Sequence, residues 1–369
     1  MAAASQAAAS AEASFESAQR ETLLDSALLI SGPNPPDGLR LDNVWVSTPN
    51  KHSNQGQRVE EEEFAVRGLS LHVPGGSVCV VVGPPKSGKS ALLDALAYAP
   101  GGYNESPSVH QGPPTTTSST PLPKLPGLAR GSVQLQGQLR QTWRAGPWRQ
   151  AVNVMRQKPA QFPDLSLTAN VNPTAAAAAT DTSSSSWSSH IRDRRSMEAG
   201  VGAALALAGA SHLAASTSSS YDRNSAVGSM PLSSEDWLKI GLARGVRGLV
   251  SSSVNSGGSG GGGGGAALVL LDEPLGLDHE GGNDEREVDF MSALVSAAEV
   301  QPQCAVVVAT RSPKLALFAN QVVVLGPKGR VLEQGDPEEL LAANGYFAEL
   351  LQASDEEAAP PAVQQDEAA

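Results

Sequence analysis

Short runs of consecutive apolar residues recur along this chain of 369 residues. They cover Val78–Val82, Ala266–Leu271, Ala305–Thr310 and Gln321–Leu325, and none of them alternates apolar with polar positions. Runs of this length are typical of strands buried on both faces, as in a parallel sheet that carries helices on each side. Helix-forming residues follow the first run at Ala91–Ala97. The pattern therefore predicts an α/β fold with a mostly parallel sheet.

A glycine-rich octapeptide of the form G-x-x-x-x-G-K-S joins the first predicted strand to its helix. Glycines let the backbone curl so that its N–H groups point at phosphates, while the lysine neutralises β- and γ-phosphate oxygens and the serine hydroxyl reaches Mg²⁺. The positive end of the helix faces the same anion. We therefore predict a nucleoside triphosphate site formed by Gly83, Pro84, Pro85, Lys86, Ser87, Gly88, Lys89 and Ser90.

The second apolar run ends in two carboxylates, Asp272 and Glu273. At the carboxyl end of a buried strand, Asp272 is placed to hold Mg²⁺ through water, and Glu273 to polarise a water that attacks the γ-phosphate. The alternative is a strand end whose two acids are merely solvated. That alternative is weaker here because a phosphate-binding loop precedes the pair in the same chain.

The ordered set of motifs resembles the nucleotide-binding domain of the ATP-binding cassette (ABC) family from about Leu41 to Leu351. The octapeptide and the acidic pair correspond to the Walker A and Walker B motifs. Gln157 resembles the glutamine of the Q-loop, and Asp278 resembles the aspartate of the D-loop. Further matching segments are the opening strands Leu41–Val44 and Val66–Leu71, and the closing hairpin and helix Gln321–Leu325 and Arg330–Leu341.

This resemblance implies a RecA-like core, an antiparallel β subdomain and a helical subdomain between Gln157 and Arg244. It implies ATP and Mg²⁺ as ligands, with Ser90, Gln157 and Asp272 around the metal and Gln157 coupling the site to the helical subdomain. It also implies two partners, a transmembrane transporter subunit and a second nucleotide-binding domain. The expected location is cytoplasmic, peripheral to a membrane through the partner.

The family signature L-S-G-G-Q is altered to Leu232-Ser233-Ser234-Glu235-Asp236, with both glycines replaced. In the family this segment meets the γ-phosphate of ATP held by the partner. Glu235 would add bulk and a negative charge there, at a cost on the order of several kcal/mol if desolvated. The alternative, which we favour, is that Ser233 or Ser234 caps a helix with Glu235 and Asp236 in its first turn.

Three further positions depart from the family. Arg311 stands where a switch histidine is expected; it can offer charge to a γ-phosphate but cannot accept a hydrogen bond as neutral imidazole does. We therefore expect hydrolysis to suffer more than binding, and a solvated loop cation remains an equal alternative for Arg311. Thr48 replaces the aromatic residue that stacks on adenine, and Trp45 is a poor substitute because an odd offset places it on the opposite face of a strand. The spacing from Asp272 to Asp278 is one residue short.

Low-complexity stretches account for much of the chain length and fall between the motifs. They cannot bury enough apolar surface to order themselves, and they lengthen surface loops at little entropic cost. We predict one domain at residues 39–352 with insertions near 104–128, 174–190, 214–220 and 251–265, a disordered segment 1–38 and an acidic disordered tail 353–369.

Charge and composition narrow the function classes. The net charge of −12 argues against a nucleic-acid partner. No apolar run has the length needed to cross a bilayer. The acidic N-terminal segment is a poor organelle-targeting signal, although the sequence leaves targeting open. Cys79 and Cys304 flank or lie within predicted strands, which predicts buried reduced thiols.

The leading hypothesis is a weakly hydrolysing ATPase subunit of an ABC-type transporter, in which Glu273, Gln157 and Arg311 are the catalytic candidates. The alternative is a nucleotide-binding regulatory or assembly protein that hydrolyses little and transports nothing. A P-loop kinase or GTPase is disfavoured by the segments that resemble the Q-loop and the closing hairpin.

Overall fold

Two β-sheets organise the part of the chain that the computed structural model describes, namely residues 37–47, 64–98, 127–173, 199–216, 226–227, 232–250, 266–276 and 284–358. The strands are β1 (Leu39–Ser47), β2 (Phe64–Val73), β3 (Val78–Val82), β4 (Leu128–Leu135), β5 (Gln138–Leu139), β6 (Val152–Met155), β7 (Leu268–Asp272), β8 (Ala305–Thr310), β9 (Gln321–Leu325) and β10 (Val331–Gly335).

The helices are α1 (Lys89–Ala97), α2 (Ala145–Ala151), α3 (Leu167–Val171), α4 (Ser211–Ser216), α5 (Ser234–Val250), α6 (Asp284–Glu299), α7 (Pro337–Ala342) and α8 (Tyr346–Ala358), and residues 199–207 are helical as well. Helix α8 continues past residue 352, where we expected the folded part to end. Thr48, Asp278 and most of the expected insertions lie outside the described residues. None of the described helices is both long and apolar enough to cross a bilayer.

The larger sheet has the strand order β10-β9-β3-β8-β7-β6, and all neighbours except β10 and β9 run parallel. This confirms the predicted α/β fold with a mostly parallel sheet. Val82 lies level with Thr310, and Met155 lies level with Leu271. The carboxyl ends of β3, β6, β7 and β8 therefore meet at one edge of the sheet, where the predicted site residues follow them.

Apolar residues on successive positions of the central strands enter two different cores. Val80 and Val82 pack in one cluster with α5 and α6, whereas Cys79 and Val81 pack in another with α1 and the antiparallel sheet. Both faces of β3, β7 and β8 are thus covered, which explains their uninterrupted apolar sequences. Cys79 and Cys304 are buried free thiols, as predicted, and burial raises the pKa of each to about 12.

The smaller sheet is antiparallel, with the order β2-β1-β4-β5, and confirms the predicted β subdomain. Its packing also accounts for Trp45. The Trp45 ring meets Phe64 edge to face at a centroid distance of 5.1 Å and lies 5.5 Å from the guanidinium carbon of Arg130. Trp45 is therefore a packing residue that joins β1 to β2 and β4.

Hydrogen bonds join helix α5 to the segment that follows Gln157. The Arg244 guanidinium donates to the carbonyl oxygens of Asn170 at 2.6 Å and Ala160 at 3.1 Å, and lies 5.0 Å from the centre of the Phe162 ring. Burial lowers the pKa of Arg244. The half-buried Arg244 side chain is therefore bonded to two backbone carbonyls and not to a carboxylate.

Candidate functional site

The loop between β3 and α1 has the backbone that its glycines predict. Gly83 and Gly88 have φ values of 154° and 100°. A Cβ atom at Gly83 would lie 2.1 Å from the carbonyl oxygen of Leu325, and one at Gly88 would lie 2.0 Å from that of Ala65. The loop is therefore held between β9 and the start of β2, and no larger residue fits at either glycine.

Lys89, the first residue of α1, folds back over this loop. Its Nζ donates to the carbonyl oxygens of Gly83 at 2.7 Å and Pro84 at 3.1 Å, and the residue is only 6% exposed. Burial lowers the pKa of Lys89, against the opposing charges of Glu273 and Asp272. The ammonium group thus lies across the mouth of the curled backbone, where a phosphate chain would bind.

Ser90 and Asp272 meet at the metal end of the predicted site. The serine hydroxyl donates to Oδ1 of Asp272 at 3.1 Å, although the two residues are 182 positions apart in sequence. Burial raises the pKa of Asp272, and the hydrogen bond from Ser90 opposes that shift. A hydroxyl and a carboxylate at this separation are oxygen donors of the kind that Mg²⁺ prefers, so the residues fit the predicted metal.

Glu273 is buried directly after β7 in a left-handed conformation, with φ of 47°. Its Oε2 accepts from the backbone N–H of Arg311 at 3.2 Å and from Thr310 Oγ1 at 3.4 Å, while Oε1 lies 3.6 Å from Arg311 Nε. Burial raises the pKa of Glu273, which these hydrogen bonds and charges partly oppose. Arg311 therefore holds the carboxylate from two sides, and its half-exposed side chain is an ion-pair partner as well as a loop cation.

Gln157 lies two residues beyond β6, at the same sheet edge as Glu273, which lies two residues beyond the paired Leu271. Its neighbour Arg156 is a residue of this edge that the motifs do not reveal. Arg156 forms an ion pair with Asp94 at 3.0 Å and donates to the Tyr98 hydroxyl at 3.0 Å. Since Asp94 lies one helical turn after Ser90, Arg156 places a second cation near Ser90 and Asp272.

The start of α5 confirms the favoured interpretation of the altered signature, that Ser233 caps a helix. Ser233 Oγ accepts from the Asp236 N–H at 3.1 Å and donates to Asp236 Oδ2 at 2.7 Å, and the Ser233 N–H also donates to that carboxylate at 2.9 Å. This reciprocal pair is a capping box. Burial acts to raise the pKa of Asp236, but hydrogen bonds from Ser233 and His212 outweigh it, so the pKa is lowered.

Glu235 is neutralised by neighbouring cations at the same helix start. It pairs with Lys239 at 2.7 Å and with Arg286 of α6 at 3.5 Å. A cleft of about 1210 Å³ runs from this point to Pro84, Glu273 and Arg311. One cavity therefore joins the rim of the phosphate loop to the altered signature segment.

Comparison with known proteins supports the fold. A search against protein-family models and a search of curated proteins found no match. Among solved structures, the chain is similar to a bacterial Atm1-family ABC exporter with ATP bound, with a TM-score of 0.53 and 19% sequence identity. The match covers 88% of this chain and 44% of that one, so this chain spans less than half the exporter's length. At this identity the likeness concerns the fold alone.

The structure brings most of the sequence-predicted residues together. Gly83, Pro84, Pro85, Glu273 and Arg311 line one end of the cleft. Ser90 bonds to Asp272 beside Glu273, and Gln157 follows the neighbouring strand. Asp278 lies outside the described residues. Sequence analysis did not identify Arg156, and only its position next to Gln157 could have suggested it.

Proposed function

We propose that this chain is the ATP-binding subunit of an ABC-type transporter and that it hydrolyses ATP slowly. The observation that carries the proposal is the contact of Ser90 with Asp272, beside Glu273 and at the mouth of the phosphate loop. Similarity of fold to an exporter that was solved with ATP supports it. The proposal includes a separate transmembrane partner, which would hold this subunit at the cytoplasmic face of a membrane.

The residues suit a magnesium–triphosphate ligand. The backbone N–H groups of Gly83–Ser90 would bind phosphate oxygens, with Lys89 exchanging its two carbonyl partners for the β- and γ-phosphates. Ser90, Asp272 and Gln157 would hold Mg²⁺, which when bound supplies positive charge against the phosphate oxygens. Each of these residues lies at the carboxyl edge of the parallel sheet, the usual ligand position in such folds.

Glu273 is the candidate general base. Burial raises its pKa, which strengthens it as a proton acceptor for water. The same carboxylate is engaged by the N–H and guanidinium of Arg311. Because the positive charge of Arg311 beside this carboxylate lowers its pKa and so weakens it as a base, we infer slow hydrolysis.

The capping box at the start of α5 affects how a second nucleotide-binding domain could pair with this chain. The capping box uses the Asp236 N–H, and Glu235 places a carboxylate at the cleft that would meet the partner's ATP. A homodimer would carry this feature at both sites. We therefore propose a heterodimer in which an intact partner signature completes the site of this chain, while the partner's own ATP remains largely unhydrolysed.

An ATP-binding and hydrolysis assay tests the proposal. Wild type is expected to bind ATP with Mg²⁺ and to hydrolyse it slowly, Lys89→Ala to lose binding, and Glu273→Gln to bind but not hydrolyse. Arg149→Ala, at an exposed position of α2 outside the cleft, is the control that should retain both activities. Calorimetry of wild type that detected no magnesium-dependent nucleotide binding would refute the proposal.

The second candidate function is a nucleotide-binding regulatory or assembly protein. The capping box at the start of α5 favours it, because that helix start is already hydrogen-bonded within the chain. The two candidates differ in their partners, because only the first requires co-purification with membranes through a transmembrane protein. Changing Ser234 and Glu235 to glycine separates them further. An ATPase gain with the purified partner supports the transporter subunit, whereas no gain supports the regulatory protein.

A further inference from the structure

Three cations around the phosphate loop are already engaged by protein groups. Lys89 donates to two backbone carbonyls, Arg311 is paired with Glu273, and Arg156 is paired with Asp94. An anion that approached any of these three would have to displace an existing partner. Lys86, in the middle of the loop itself, differs from these three.

Lys86 is exposed, and within the described ranges its side chain has neither an ion pair nor a hydrogen bond. It follows Pro84 and Pro85, which line the cleft at the rim of the loop. Its ammonium group is therefore free to meet an incoming anion at the entrance to the site. No partner among the residues that the structure describes has to leave first.

Lys86 is one of six non-glycine residues with a positive φ among those that the structure describes. Its φ of 65° lies in the left-handed region, which costs a residue with a side chain more than it costs glycine. Residues held in such conformations concentrate at functional sites. An exposed lysine in the phosphate loop, without a partner in the described ranges, is placed to act on an anion through its side chain.

We propose that Lys86 is the capture residue of the site, which attracts the phosphate chain of a nucleotide before Lys89 releases its two carbonyls. This inference rests on the proposed nucleotide-binding function and adds a role to it. A free charge at the entrance of a site acts mainly on the association rate, because the attraction operates over distances at which close contacts are not yet made.

Stopped-flow mixing with ATP that carries a fluorophore on its ribose tests the proposal on the full chain. In low-salt buffer, Lys86→Gln is expected to lower the association rate about fivefold while leaving the dissociation rate nearly unchanged. The difference should shrink in about 0.5 M salt, where charges are screened over a few ångströms. Lys86→Arg should restore the wild-type rate, and Arg149→Gln, an equal charge change on exposed α2, should not slow association.

Comparison of two variants separates the charge from the strain. Lys86→Gln removes only the charge, whereas Lys86→Gly removes the charge and the left-handed strain. The melting temperature of Lys86→Gly is expected to rise by about 2 °C as the left-handed strain is relieved. Lys328→Gly, at another lysine with a positive φ of 61°, should show a comparable rise. Association by Lys86→Gly should nevertheless be as slow as that of Lys86→Gln.

Association of Lys86→Gln and Lys86→Gly at the wild-type rate would overturn the capture role and leave the proposed function intact. A wild-type chain that gave no fluorescence change and no binding heat with nucleotide would overturn both. Equal slowing of Lys86→Gln and Arg149→Gln would assign the effect to net charge and would also overturn a specific role for Lys86.

Discussion

Alanine at Gly88 is a direct test of the phosphate-loop geometry. The residue has a φ of 100°, and an added Cβ would lie 2.0 Å from the Ala65 carbonyl oxygen and 2.9 Å from the carbon of that carbonyl. The left-handed conformation alone costs an L-residue about 1 to 2 kcal/mol. Overlap with backbone atoms, which cannot rotate away as a side chain can, adds about 1 to 3 kcal/mol. We therefore expect Gly88→Ala to lower the free energy of unfolding by about 3 kcal/mol.

Two other glycines separate the contributions. Gly209 has a φ of 68° but no atom within 4 Å of its added Cβ, so Gly209→Ala should lose only the conformational part, about 1 kcal/mol. Gly202, within the helical residues 199–207, has open space and no positive φ. Gly202→Ala should gain about 0.5 to 1 kcal/mol, because alanine favours a helix.

Urea unfolding and thermal melting measure all three variants in the same buffer. For a domain of this size, the Gly88→Ala loss corresponds to a fall in melting temperature of about 6 to 12 °C. From most to least stable, the order should be Gly202→Ala, wild type, Gly209→Ala and Gly88→Ala. If Gly88→Ala were no less stable than Gly209→Ala, the loop would not pack against β2 as described, and the reasoning would be refuted.

Three other perturbations follow from the structure. Ser233→Ala removes the helix cap and should lower the free energy of unfolding by about 1 kcal/mol in urea titration, whereas Ser234→Ala, without that bond, should change it little. Because burial raises the pKa of Glu273, its ionised form destabilises the folded state above that pKa, and the cost is relieved as pH falls through it. Glu273→Gln should therefore melt higher than wild type at about pH 8, with a smaller gain at about pH 5; an equal gain at both would contradict this. Arg244→Met removes hydrogen bonds to one part-buried and one exposed carbonyl and should cost about 1 to 2 kcal/mol, while exposed Arg149→Met should cost under about 0.5.

The strands of the core follow directly from the apolar pattern. The run Val78–Val82 is β3 to the residue, and the segment that ends in the acidic pair contains β7. Both strands are buried on two faces, so neighbouring positions face different cores but carry the same kind of residue. The glycines of the phosphate loop were equally predictable, since only a curled backbone requires them between such a strand and a helix.

Local patterns do not predict the contacts that complete the site, although the resemblance to the ABC family placed Ser90 and Asp272 around one metal. Ser90 and Asp272 come from distant parts of the chain, and Arg156 reaches Asp94 only because β6 takes the edge of the sheet beside β7. Strand order decides these pairs, and no local pattern encodes it. The double hold of Arg311 on Glu273 is equally hidden, because one of the two bonds comes from its backbone.

Helix α5 shows how packing can join two motifs that the sequence keeps apart. Its first residues carry the altered signature, and a Cβ at Gly241 would lie 2.3 Å from the ring of Pro159, two positions after Gln157. Arg244, one turn further on, bonds to the carbonyl of Ala160 in the same loop. Close contact without a side chain at Gly241, and a cation bonded three residues later, leave the helix no room to slide along the loop. A displacement of the loop beside Gln157 would therefore have to break these contacts or shift the helix that begins with the Ser233 cap.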